Sequence, residues 1–280
     1  MEAVVSLPET RGPSFPSVRT RSLVVVIIAG LVASLFAAVL LGDAAQYLFQ
    51  VMLVAWGAWT IGRGRISIRA LIGGVPAGYN WWPILIMAVA GIVYAVGAST
   101  VVLYPVARYL PEVYDELFTA TTGESLLHFF ILAVIVAPLV EETIFRGILF
   151  SRLTAKWGMV RAMVVSSLAF GLLHLDPIGA FVFGIVACVL YVRTQSLIVP
   201  MVLHALNNFF VWLLVALEAD QGAVAAVPTT DDLAFQGLIA MMIASPVVFG
   251  LLGRWWPSKG TPLPYAANQK QEPPDSVGAT

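Results

Sequence analysis

Residues 129–150 read FFILAVIVAPLVEETIFRGILF. As a helix this stretch is long enough to cross a ~30 Å hydrocarbon core, which takes ~20 residues. Its second half nevertheless holds Glu141, Glu142 and Arg146. An ionisable side chain at bilayer depth costs several kcal/mol unless it has a partner, a water-filled cavity or a chemical role. A span with three of them is doing more than anchoring.

The rest of the chain fits a membrane setting. Of its 280 residues 59% are hydrophobic and 11% charged, whereas a soluble domain keeps roughly a quarter of its residues charged. The composition predicts an all-α, polytopic membrane helical bundle. Apolar segments at about 22–41, 45–62, 83–106, 126–150, 160–175, 177–193, 197–217 and 233–253 give eight expected transmembrane helices. The first has too long an apolar core for a removable signal, whose core is usually ~7–15 residues, and is read as a retained helix. Basic residues fall before the first segment (Arg11, Arg19, Arg21), after the second (Arg63, Arg65, Arg69), after the fourth (Arg152, Lys156, Arg161), after the sixth (Arg193) and after the eighth (Arg254, Lys259). The alternate loops are acidic, with Asp43, then Glu112, Asp115, Glu116 and Glu124, then Asp176, then Glu218, Asp220, Asp231 and Asp232; Arg108 is the exception. Because Lys and Arg are retained on the cytoplasmic side, both termini are expected there, in a multi-pass protein of the cell (plasma) membrane.

Five regions are expected: a disordered tail at 1–20, N-terminal transmembrane helices at 21–124, a catalytic transmembrane core at 125–217, an acidic loop with the last helix at 218–256, and a disordered tail at 257–280. The tails are rich in Pro, Gly and polar residues, a composition that buries too little apolar surface to fold. A net charge of -1 with no basic tract and no Gly-rich phosphate loop gives no reason to expect nucleic acid. The lone cysteine, Cys188, rules out an intramolecular disulfide and a thiolate metal cluster.

Within the spans the polar candidates are Glu141, Glu142, Arg146, His174, His204, Asn207 and Asn208. Glu142 and Arg146 are four apart with the acid first, the favoured order for a helical ion pair, and are read as a structural pair. Glu141 points ~100° away from Glu142 around the helix and has no cation three or four residues from it. Burial of an unpartnered carboxylate favours uptake of a proton, as a general base requires. Phe170 and His174 share a helical face, as do His204 and Asn208. Phe170 is expected to pack on the His174 ring, and Asn207 is the ambiguous neighbour of Asn208. The third histidine, His128, lies at the edge of its span and is read as interfacial. At ~1.5 Å per helical residue, Glu141, His174, His204 and Asn208 all fall ~12–20 Å from the cytoplasmic boundaries, in one layer. The fifth segment stops short at Asp176-Pro177, and a turn sunk that deep must line protein or water. A hydrated cavity is therefore expected, with Pro138 breaking the fourth helix one turn before Glu141.

In this order and on successive apolar segments, Glu-Glu-x-x-x-Arg at 141–146, Phe-x-x-x-His at 170–174 and His-x-x-x-Asn at 204–208 resemble the three motifs of the CPBP intramembrane proteases, the CAAX-protease and bacteriocin-processing (Abi) family. The resemblance covers about 125–215. It implies an endopeptidase for membrane-anchored proteins or peptides that requires no cofactor, in which Glu141 and His174 activate water and His204 and Asn208 hold the oxyanion. It leaves open prenylated CAAX proteins, bacteriocin leaders or sorting signals as substrates.

Three other readings stay open. Two histidines and a carboxylate can bind Zn²⁺, which would make Glu141, His174 and His204 ligands of a zinc-dependent protease. Against this, a ligating Glu cannot also be the base, and no HExxH is present. A bare Glu with two His at mid-depth also suits a proton-coupled transporter, and an idle peptide-binding immunity protein would use the same cavity. The sequence fixes no oligomeric state.

Overall fold

The computed structural model describes residue 15 and residues 18–41, 45–114, 125–221 and 230–271. Among these the chain is helical, with no strand. All eight expected segments coincide with helices: α1 (Thr20–Leu41), α2 (Ala45–Gly64), α4 (Trp82–Tyr109), α5 (Leu126–Trp157), α6 (Met159–Gly171), α7 (Pro177–Thr194), α8 (Ile198–Gln221) and α9 (Thr230–Trp255). Shorter helices also occur among the described residues, including α3 (Ile68–Ile72) and α10 (Pro264–Gln269).

Five helices among the described residues, α4, α5, α7, α8 and α9, are long and apolar enough to cross a membrane. The protein is an integral, multi-pass membrane protein. Its outward side chains agree with that setting: Val25, Ile28, Ile86, Met242 and Ile243 are all more than half exposed, an arrangement that lipid solvates and water does not. Helix α6 has 13 residues and ends short, as the sunken-turn argument requires.

Where apolar side chains gain nothing by leaving lipid, helices associate through close backbone approach at small residues. Helices α4 and α9 meet this way. A Cβ on Gly97 would come 2.5 Å from Gly237 O, and one on Gly237 would come 2.0 Å from Thr100 Oγ1. Helices α6 and α7 do the same at Gly184, where a Cβ would meet Ser167 Cβ at 2.7 Å. Gly171 ends α6 beneath the following turn, since a Cβ there would stand 2.7 Å from Pro177 O. Asp176 then caps α7, its Oδ1 accepting from Gly179 N at 2.9 Å.

Helix α5 is not uniform. Its Phe130–Val136 and Thr143–Phe150 stretches are π-helical, with α-helical Ala137–Glu142 between them. The first π stretch has a cause in the sequence: Pro138 has no N–H, and its ring would clash with the carbonyl four residues back in a regular α-helix. A wider turn relieves that clash. Thr143 Oγ1 donates to Leu139 O at 2.7 Å where the second stretch begins.

The segment 257–280, expected to be unstructured, differs in its described part. Helix α10 packs on α3 with Tyr265 buried against Phe15, the two rings 5.0 Å apart and nearly perpendicular. Asn268 Nδ2 donates to the carbonyls of Ala70 and Gln195 at 3.0 and 2.8 Å. One buried aromatic and one amide that satisfies two turn carbonyls hold a short segment whose average composition is polar. Residues 1–14, 16–17 and 272–280 of the two expected tails lie outside the described residues, as do Asp43, Asp115, Glu116, Glu124 and the loop 222–229.

Candidate active site

Three elements bring the singled-out residues together. Helix α5 carries Glu141 and Glu142 in its central α-helical stretch, the turn after α6 carries His174, and α8 carries His204, Asn207 and Asn208. Glu141 Oε2 lies 3.9 Å from His174 Nε2 and 4.0 Å from His204 Nε2. Those separations exceed a direct hydrogen bond and suit one small oxygen species touching all three.

The orientation of each imidazole follows from its other nitrogen. His174 Nδ1 donates to Phe170 O at 2.8 Å, which leaves Nε2 directed at Glu141. The Phe170 ring lies 4.3 Å from the imidazole, so the expected packing is present, although His174 sits just past the end of α6. Phe170 also takes the Arg146 guanidinium over its other surroundings, with Cζ 4.2 Å from the ring centroid. It thereby joins the first two motifs.

His204 Nδ1 lies 2.9 Å from Glu142 Oε1, the same oxygen that accepts from Arg146 Nη1 at 2.9 Å. The pair read as purely structural thus has a third member. All three groups are buried, Glu142 at 0% exposure, Arg146 at 1% and His204 at 4%. The imidazole of His204 bridges the two glutamates, with Nδ1 on Glu142 and Nε2 toward Glu141. This link is invisible in one dimension because the residues are 62 positions apart.

Pro138 does more than bend the helix. In the π register Ala137 N–H donates to Leu132 O, five residues back. The next donor in that register would be residue 138, directed to Ala133 O, and proline has none. Asn208 Nδ2 takes the free carbonyl at 2.7 Å. The proline of the first motif and the asparagine of the third are complementary parts of one contact.

Sequence reasoning placed nothing from the first three spans in the site. The structure brings Gln50 of α2 to it, with Nε2 3.4 Å from Glu141 Oε1. The available signal was a side-chain amide inside an otherwise apolar span. His128 stays apart as expected: it is exposed and 13 residues before Glu141 on the same helix, ~20 Å along its axis.

A cavity of about 520 Å³ opens beside the two histidines, lined by His174, His204, Asn207 and Asn208 on one side and by Met87, Gly91 and Tyr94 of α4 on another. The sunken turn contributes Leu173, Leu175 and Asp176, where a cavity was expected. Most of the remaining wall is aliphatic or aromatic. Among the described residues no group of three His, Cys, Asp or Glu is arranged to hold a metal ion. The 3.9 and 4.0 Å separations are wider than the ~3.4 Å edge of a tetrahedron with ~2.1 Å zinc bonds.

Residues 123–210 match the family model of the Rce1-like, type II CAAX prenyl endopeptidases. Over these residues the chain is similar to that family, the resemblance the three motifs carry, and the matched segment contains every motif residue named above. Among curated relatives, the putative membrane peptidase YdiL of Bacillus subtilis (strain 168) is 37% identical over 84 residues, 29% of this chain and 34% of the relative. The membrane-embedded CAAX protease MroQ of Staphylococcus aureus (strain USA300) is 38% identical over 87 residues, 28% of this chain and 35% of the relative. The matches thus span about a third of the length of these relatives. No solved structure matches the chain.

Proposed function

We propose that the protein is an intramembrane endopeptidase that hydrolyses a peptide bond of a membrane-associated protein or peptide, with Glu141 as general base. The observation that carries this reading is the convergence of Glu141 Oε2 with Nε2 of both His174 and His204 at about 4 Å, beside an apolar cavity. Similarity of residues 123–210 to the CAAX endopeptidases supports the reaction class, and the names of the relatives extend it to membrane peptidases.

The residues divide the work as follows. A water held between Glu141 and His174 gives a proton to Glu141 as its oxygen attacks the scissile carbonyl, and positioned base catalysis of this kind contributes ~10²–10⁴ in rate. The tetrahedral intermediate carries its negative charge on the former carbonyl oxygen, toward His204 and Asn208. The contact of His204 Nδ1 with Glu142 Oε1 holds the ring so that Nε2 is the nitrogen directed toward the reacting atoms. Asn208 is held in place through Ala133 O and keeps its second N–H. Collapse of the intermediate breaks the C–N bond, and the proton on Glu141, handed on directly or through His174, goes to the leaving amine.

A C-terminal prenylated Cys-a-a-X peptide is the substrate suggested by the family description. Cleavage of an internally quenched farnesylated peptide of this type, by full-length protein in anionic vesicles, should fall ~10²–10⁴-fold in Glu141→Gln at unchanged thermal unfolding. Persistent cleavage would remove Glu141 from the role. Because three donor atoms do converge, the zinc alternative has its own test: purified protein treated with a chelator should retain activity, whereas loss restored only by Zn²⁺ would install a metal mechanism. Proton-coupled flux without cleavage would favour a carrier, and peptide binding without cleavage an immunity-type protein.

A further inference from the structure

Two neighbouring amides of α8 line the cavity, and they differ in what they already hold. Asn208 Nδ2 is engaged with Ala133 O at 2.7 Å. Asn207 Oδ1 is buried with no partner among the described residues, and its amide nitrogen donates to none of them. An amide N–H without an acceptor costs ~1–3 kcal/mol where it is shut off from water. Such a group is explained when a ligand completes it.

The opposite wall shows which way the amide faces. Gly91 of α4 stands against it, and a Cβ there would come 3.3 Å from Asn207 Oδ1. The glycine lets the carboxamide oxygen lie close to the α4 backbone. A carboxamide is planar, so with Oδ1 turned to Gly91 the –NH₂ end is the part presented to the cavity. Gly91 lies outside the family-matched 123–210 segment, so this wall is built jointly by the family core and the N-terminal helices.

We propose that Asn207 is a substrate-binding residue whose Nδ2–H donates to a backbone carbonyl of the peptide beside the scissile bond. The inference rests on the endopeptidase reading and adds a subsite to it. A peptide in an extended conformation advances about 3.3 Å per residue, so adjacent side chains on α8 reach carbonyls of adjacent substrate residues. An apolar cavity accepts a peptide's side chains readily but strands its backbone groups, and an amide donor in the wall offsets that loss. Because the carbonyl contacted is not the one attacked, the bond is equally strong in ground and transition states. Uniform binding of that kind appears in KM and leaves kcat alone.

The test measures kcat and KM for the farnesylated Cys-a-a-X peptide with the full chain in vesicles, comparing the unsubstituted protein, Asn207→Ala, Asn207→Asp and Asn208→Ala. Asn207→Asp keeps size and shape but exchanges the donor for an acceptor, which separates lost binding from lost folding. The expected result is KM raised about 10-fold in both Asn207 variants with kcat within about 3-fold, against a fall in kcat for Asn208→Ala. Binding of the same peptide to Glu141→Gln should weaken about 10-fold when Asn207→Asp is added. Unchanged KM and binding in Asn207→Asp would overturn the proposal, as would a fall in kcat at constant KM. Failure of the unsubstituted protein to cleave, or cleavage retained by Glu141→Gln, would instead overturn the endopeptidase reading on which it rests.

Discussion

Glu142 holds two other charged or polar groups of the site at once. It neutralises Arg146 and orients His204 through one oxygen, so its removal strands a buried guanidinium and frees a histidine. Breaking a buried ion pair from one side costs about 3–5 kcal/mol. Glu142→Ala should lower unfolding stability by that amount in detergent, and activity with it; an unaltered unfolding transition would mean the network carries no weight. Gln50 offers the opposite combination. One hydrogen bond is worth ~0.5–1.5 kcal/mol, so Gln50→Leu should leave stability nearly intact and lower kcat by up to ~10-fold at constant KM. Identical kcat would make Gln50 a packing residue. Glu141, His174 and His204 were legible as candidates because charge and imidazole are expensive in lipid. Gln50 was not, because an amide in a span is cheap enough to need no explanation.

At the scale of elements, the two π-helical stretches of α5 and the glycine contacts between helices set the geometry. Pro138→Ala would supply the N–H that Ala133 O lacks and set it in competition with the Asn208 amide. The expected outcome is a helix that is no less stable, since proline in a helix interior is unfavourable by ~3 kcal/mol, together with reduced kcat. Improved or unchanged kcat would show that Asn208 needs no such anchor. The α4–α9 contact predicts a different response. Leucine at Gly237 meets Thr100 Oγ1 and Gly97 O at once, and overpacking costs ~1–3 kcal/mol, read as a lowered unfolding temperature. The helix boundaries were available from apolar run lengths alone. The π turns were not, because hydropathy reports how far a segment runs through lipid and not how its backbone is hydrogen-bonded.

For the molecule as a whole, the family-matched segment does not make the cavity by itself. Helix α5, helix α6 with the turn after it, and helix α8 supply the motif residues, α4 closes the opposite wall, and α2 reaches Glu141. The described part of the C-terminal segment serves a separate purpose, fastening α3 to the turn at Gln195 through Tyr265 and Asn268. Replacing the buried Tyr265 by Ala should cost ~3 kcal/mol of stability while kcat per folded molecule stays constant, because its contacts with Phe15 and Ser67 hold α3 and the C-terminal segment and not Glu141 or the histidines. A change in kcat would show instead that this strap is coupled to the site.

The sequence by itself determined the membrane setting, the helix positions and the family that residues 123–210 resemble, since each rests on the cost of placing a given residue type in hydrocarbon or on an ordered set of motifs. Only the tertiary structure decided that Glu142 also holds His204, that Pro138 frees a carbonyl for Asn208, that Gln50 reaches Glu141, and that Asn207 faces the cavity unpartnered beside Gly91. Each of these is a contact between helices distant in the chain, and such contacts are set by close packing at glycines and by the register of single hydrogen bonds. In PLVEETIFRG the charges announce a site, but which atom meets which partner is fixed by the helices around them.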